Sequence, residues 1–164
     1  MMRGVFMVMK IDLKRLFKNL AIPLAVGLIS GFLTRGGVEE FNQTAVKPFF
    51  MPPSVLFPIA WTILYVFMGI ATYFIELSPQ RENKAYAMKL YYIQLGFNFL
   101  WSFIFFSWGS YLLALLWLIA MLILIVITTL EFYKIEPKAA YFMVPYVIWV
   151  AFAGVLNFSV YLLN

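Results

Sequence analysis

Residues 111–130 read YLLALLWLIAMLILIVITTL, an apolar run with no charged side chain anywhere in it. A helix of about 20 such residues is what the hydrocarbon core of a bilayer requires, so the run predicts a membrane span. Only Gly109 and Ser110 separate it from another apolar run that ends at Trp108, and two helices joined so tightly must return antiparallel, as a hairpin. Carried outward, the same reading predicts spans at about 16–34, 55–75, 87–108, 111–130 and 139–163. Long apolar runs rather than short alternating ones favour helices over an outer-membrane barrel. The expectation is an all-α polytopic membrane protein in which residues 1–164 form one domain, a five-transmembrane-helix bundle.

Composition points the same way. Hydrophobic residues make up 65% of the chain, aromatic residues 20% and charged residues only 12%, far from the mixture of a soluble domain. Neither cysteine nor histidine occurs, which removes disulfides, thiolate chemistry, zinc centres and histidine-ligated haem, so no metal site is expected. Arg3, Lys10, Lys14, Arg15 and Lys18 precede the first span, Arg81, Lys84 and Lys89 lie between the second and third, and Lys134 and Lys138 between the fourth and fifth. Arg35 and Lys47 alone fall on the other side. The positive-inside rule then puts the N-terminus in the cytoplasm and residues 35–54 outside. With a net charge of +5 distributed in this way, lipid headgroups rather than nucleic acid are the partner of the basic residues. A basic start followed by Ala25-Val-Gly27 also has the form of a cleavable signal, but the apolar run is long for one.

Between the first two spans, Gly36-Gly37 reads as a helix stop, and residues 35–54 as the longest loop: either a lid over a binding site or a solvated connection. Pro48, Pro52, Pro53 and Pro58 remove four backbone donors, so the chain must enter the membrane extended and turn helical near Pro53 or Pro58. Inside the first span Gly27 and Gly31 form a Gly-x-x-x-Gly pair that lets another backbone approach, from within the molecule or from a second copy.

No ionisable residue occupies the middle of any span. Proton relays, ion-coupled carriers and voltage sensors use such groups, which argues against an energised pump and leaves a passive facilitator open. The polar residues that do occur inside the spans are uncharged. Gln94, Asn98 and Ser102 recur every four residues on one face of the third helix, a face that must look into the bundle because an unpaired amide facing lipid costs several kcal/mol. They serve either as interhelical glue or as contacts to a ligand's polar edge. Trp61, Tyr65, Met68 and Thr72 form a stripe on the second helix, and Phe142, Tyr146, Trp149, Ala153 and Asn157 one on the fifth. Trp108, Tyr111 and Tyr161, near span ends, suit the interfacial belt. Trp61 and Trp149 lie deeper, beside small or polar neighbours, and suit the walls of a flat apolar site where an indole face stacks and its N–H finds one acceptor.

The chain resembles the TspO/MBR family, the translocator or tryptophan-rich sensory proteins, also called peripheral benzodiazepine receptors. The resemblance covers nearly the whole sequence. It is carried by Lys47-Pro48 with Pro52-Pro53, by Phe57-Pro-Ile-Ala-Trp61-Thr-Ile-Leu-Tyr65 with Met68-Gly69, by Asn98-Phe-Leu-Trp101-Ser102 with Phe105-Phe106, and by Val144-Pro145-Tyr146 with Trp149, Phe152-Ala153 and Leu156-Asn157. It implies a five-helix protein of the bacterial cell membrane, commonly a homodimer, with a pocket under the first loop for protoporphyrin IX and other tetrapyrroles, sterols, and isoquinoline or benzodiazepine drugs. For some bacterial members it also implies light-dependent degradation of protoporphyrin, with two tryptophans that match Trp61 and Trp149. Two departures stand out. Phe50 replaces a tryptophan of the loop motif, keeping apolar contact and losing an N–H donor, and no Lys or Arg follows Tyr161, where a sterol motif would need one.

On this reading a porphyrin-like macrocycle stacks among Trp61, Tyr65, Trp101, Tyr146 and Trp149, beneath Phe50 and Pro52. Asn98 or Asn157 supplies orienting hydrogen bonds, and Lys47 or Arg35 faces the propionates. Iron in a haem would find only Tyr, Met or water as axial partner, so metal-free protoporphyrin is expected to bind at least as well as haem, and no cofactor is required. The alternatives are a light-dependent enzyme, in which Trp61 or Trp149 gives an electron to the excited porphyrin, and a passive carrier.

Overall fold

The computed structural model describes residues 12–80 and 82–164. The basic residues Arg3, Lys10 and Arg81, counted above for orientation, lie outside the described residues. Five helices follow in order: α1 (Leu13–Thr44), α2 (Leu56–Leu77), α3 (Lys84–Ser102) running into a π-helical turn (Phe103–Ser107), α4 (Tyr111–Ile135) and α5 (Pro137–Leu163). Each is long and apolar enough to cross a membrane, and no strand occurs among the described residues.

The ends of the helices have local causes. Asp12 caps α1, its carboxylate accepting the backbone N–H of Arg15 at 3.1 Å. Pro58 falls within the first turn of α2, where a missing N–H leaves no intrahelical bond unmade. The α3–α4 hairpin closes through the π-turn: the Trp108 N–H reaches back to the Phe103 carbonyl at 2.9 Å, and Gly109 takes the left-handed conformation, φ 60°, that the reversal requires. Glu136, extended ahead of Pro137, ends α4 and opens α5.

Two expectations are corrected. Gly36-Gly37 does not stop α1, which continues to Thr44, so the connection to α2 is residues 45–55 and not 35–54. The glycine at 37 has a different use: a Cβ there would collide with the backbone carbonyl of Phe106, so its absence lets α1 touch the π-turn. Helix α4 likewise extends beyond Leu130 and carries Glu131 and Lys134, placed in a loop by the sequence, as an i,i+3 pair 2.6 Å apart near its end.

The helices close into a ring in the order α1, α2, α5, α4, α3, with α3 and the π-turn returning to α1. Lipid tails are as apolar as leucine side chains, so close backbone approach and buried polar links, rather than apolar burial alone, decide which helix faces decide to meet. Gly69 of α2 lets the Cα of Leu20 come within 2.8 Å of where its Cβ would be, and Gly27 of α1 receives the ring of Tyr65. Gly31, its partner in the Gly-x-x-x-Gly pair, has open space before it. At the cytoplasmic end of the expected topology, Asn19 donates to the Glu76 carboxylate at 2.6 Å and ties α1 to the end of α2.

Candidate ligand-binding site

In the middle of the ring, one hydrogen-bonded chain links three helices. The Tyr65 hydroxyl donates to Asn98 Oδ1 at 2.6 Å, Asn98 Nδ2 donates to the Tyr146 hydroxyl at 3.1 Å, and that hydroxyl donates to Gln94 Oε1 at 2.9 Å. Gln94 Nε2 then lies 3.9 Å from the Met68 sulfur. All five residues are buried, Gln94, Met68 and Tyr146 completely. The i, i+4 spacing of Gln94 and Asn98 puts both amides on the same face of α3, where each meets a phenol from a helix across the ring. Each amide thus bridges helices, with its carbonyl oxygen already accepting from a phenol.

The aromatic wall rises from this chain. Trp61, one turn above Tyr65 on α2, stacks on the Tyr65 ring with centroids 5.7 Å apart and presents an edge to Tyr146 at 6.2 Å. Trp149 of α5 is flanked by Phe57 at 6.0 Å and Phe152 at 5.9 Å. Both indoles are half-buried. The N–H of Trp149 is buried without an acceptor among the described residues, as is the Tyr91 hydroxyl elsewhere, whereas buried indole donors ordinarily find one. Trp61, Tyr65, Tyr146 and Trp149 thus come together where α2 meets α5.

Trp101 and Asn157 do not join them directly. Trp101 Nε1 donates to Asn157 Oδ1 at 3.4 Å, Asn157 Nδ2 donates to the Tyr111 carbonyl at 2.9 Å, and the Trp101 ring stacks on Phe105 at 5.1 Å. This second polar link fastens α3, α4 and α5 beside the π-turn. Lys47 is exposed and occupied: its ammonium donates to the Asn42 carbonyl and to Asn42 Oδ1, both at 3.0 Å, above the Phe41 ring. It caps the C-terminal end of α1, where carbonyls lack partners. Arg35 lies over the Phe32 ring at 4.5 Å. Phe50 is exposed beside the wholly exposed Phe49, and Pro52 is half-buried.

A separate cleft of about 150 Å³ opens between α1 and the π-turn, lined by Gly37, Glu40, Phe41, Trp108 and Tyr111 among others. It is smaller than the roughly 300 Å³ at which small-molecule pockets begin, and none of the expected site residues lines it. No cluster of three His, Cys, Asp or Glu side chains able to hold a metal occurs among the described residues. Phe57 carries no signal of its own in the sequence beyond its place four residues before Trp61, which puts it on the same face of α2.

Comparison with known proteins agrees with the motifs. Residues 19–163 match the TspO/MBR family. The chain is similar to the tryptophan-rich protein TspO of Archaeoglobus fulgidus, 37% identical over 153 residues that cover 93% of this chain and 99% of that protein. It is similar to the tryptophan-rich sensory protein of Cereibacter sphaeroides, 34% identical over 126 residues, 77% of this chain and 78% of that one. It is also similar to the translocator protein of Bos taurus, 30% identical over 142 residues, 85% and 84% of the two chains.

Proposed function

The chain belongs to the TspO/MBR family of membrane proteins, and on that premise we propose that it binds protoporphyrin IX or a tetrapyrrole of similar shape between α2 and α5, as a sensor or store in tetrapyrrole homeostasis. The observation that carries this reading is the buried, unpartnered N–H of Trp149, set among Phe57, Phe152 and the neighbouring Trp61–Tyr65–Tyr146 rings. A donor in apolar surroundings without an acceptor is held at a cost of about 1–3 kcal/mol. A flat ligand with acceptor atoms at its edge would remove that cost while its faces stack on the indoles. The same apolar shape suits isoquinoline and benzodiazepine drugs. The basic residues named above support a cytoplasmic N-terminus, and the open face beside Gly31 suits a second copy in a homodimer.

Quenching of tryptophan fluorescence by protoporphyrin IX, titrated into purified protein in darkness, tests the reading. Trp149→Phe keeps a six-membered aromatic ring and removes the N–H together with the pyrrole ring; the expected result is binding weakened about five- to tenfold, with thermal unfolding measured alongside to separate lost packing from the lost donor. Equal affinity in the variant and the parent would count against the site. Repeating the titration under illumination separates binding from light-driven degradation, in which absorbance of the macrocycle would fall with time and Trp61→Phe or Trp149→Phe would slow the fall.

A further inference from the structure

The segment that leads into the candidate site is held by a side chain 118 residues away in sequence. Gly27 lies against the Tyr65 ring, and Tyr65 and Tyr146 share Asn98, so these positions mark one depth in the bundle. Beyond that depth α1 continues from Gly27 to Thr44 and α5 from Tyr146 to Leu163, about 26 Å in each case at roughly 1.5 Å per residue. Helix α2 starts at Leu56, only about 14 Å above Tyr65 on the same scale. Residues 45–55 therefore descend about 12 Å beside the protruding ends of α1 and α5 before α2 begins. They arrive at Phe57, whose ring meets Trp149, and Met51 packs half-buried on the same core as Trp61 and Trp149.

Little fastens this descent. Ala45 and Lys47 bond only to α1, Met51 N–H bonds to the Pro48 carbonyl within the segment, and Leu56 N–H bonds to Pro53. Phe49 is wholly exposed. The exception is Val46: its N–H donates to Asn164 Oδ1 at 2.9 Å, and its carbonyl accepts from Asn164 Nδ2 at 3.0 Å. The same Nδ2 also donates to the Val160 carbonyl at 2.9 Å, so both amide hydrogens and the oxygen are used and the side chain is aimed in one direction. Of the hydrogen bonds that residues 45–55 make with the described residues, this pair alone reaches a helix other than the two the segment joins.

We propose that Asn164 is a positioning residue for ligand binding: its carboxamide pins residues 45–55 against the end of α5 and sets how often the segment lifts to pass a hydrophobic ligand. The inference rests on the reading that the ligand lies at Phe57, Trp61 and Trp149. Because the pin holds the segment in the same way with the site empty or filled, its loss raises association and dissociation rates together and leaves their ratio nearly constant.

The chain has no cysteine, so a single Met51→Cys reporter reads lifting directly as its rate of reaction with a maleimide, without any ligand. In that background Asn164→Ala is expected to label about fivefold faster, the effect of losing two solvent-facing hydrogen bonds. Stopped-flow quenching with protoporphyrin IX should show both rate constants rising by a similar factor, with the dissociation constant within twofold of the parent. Asn164→Gln, which keeps the carboxamide, should recover part of the difference, and Val46→Ala, which keeps both backbone groups, should change nothing. Unchanged labelling in Asn164→Ala overturns the pin whatever the ligand is. Faster labelling with unchanged porphyrin kinetics overturns the positioning role. A parent protein that binds no porphyrin overturns the site reading instead, and the labelling rates still decide the pin.

Discussion

Asn98, expected from its spacing as a ligand contact, makes two hydrogen bonds within the bundle. It accepts from Tyr65 and donates to Tyr146, so one amide holds α2, α3 and α5 in register. Replacing it by alanine leaves the buried Tyr65 hydroxyl without an acceptor, while the Tyr146 hydroxyl keeps its bond to Gln94. Polar links between membrane helices are worth about 0.6 kcal/mol on average and up to about 1.7, while a stranded buried group costs about 1–3. Asn98→Ala is therefore expected to destabilise the protein by about 1–3 kcal/mol, read as a lower midpoint of unfolding in a denaturing detergent series. Trp149→Phe in the same series sets relief of an unpartnered buried N–H against loss of the indole's pyrrole ring from the core, so its midpoint should move less than that of Asn98→Ala. The polarity of Asn98 and its helical face were legible from spacing. Its partners were not, since Tyr65 and Tyr146 lie 33 and 48 residues away and either could have turned elsewhere.

Helix α1 separates two glycines that the sequence presents as a pair. Gly27 faces Tyr65 so closely that an added methyl would displace the ring, and with it the hydroxyl that reaches Asn98; Gly31 meets nothing within 4 Å. Gly27→Ala should cost about 1–3 kcal/mol through overpacking, whereas Gly31→Ala should stay within about 0.5 kcal/mol. Thermal unfolding of the two variants side by side distinguishes them, and equal losses would mean that Gly31 too meets a close partner, within the molecule or on a second copy. The Gly36-Gly37 pair illustrates the same difficulty in the opposite sense. Adjacent glycines ordinarily mark a helix end, but the π-turn of α3 offers a carbonyl surface that only a residue without Cβ can approach, and α1 runs on to Thr44 to make that contact. Local propensity suggests a stop, and tertiary contact decides against it.

At the scale of the whole molecule, the ring order α1–α2–α5–α4–α3 brings the aromatic stripes of α2 and α5 face to face and leaves the amides of α3 to bridge them. The orientation in the bilayer gives a direct test in a chain without cysteine. Phe49→Cys, wholly exposed, should react with a membrane-impermeant maleimide in right-side-out vesicles, and Glu82→Cys only after the vesicles are opened. The reverse pattern would overturn the assignment. By itself the sequence determined the class of fold, the existence of five spans and the tight turn at Gly109-Ser110, because bilayer thickness and backbone hydrogen bonding leave an uncharged run of twenty residues essentially one solution. It also determined which faces carry amides and indoles, since helical periodicity is local. Only the tertiary structure decided what those groups meet: that Lys47 closes α1, that Trp101 bonds Asn157 apart from Trp61, that Trp149 is left without an acceptor, and that Asn164 holds Val46. Each of these is a pairing across helices, and nothing in the spacing of residues along one helix specifies the neighbour it will face.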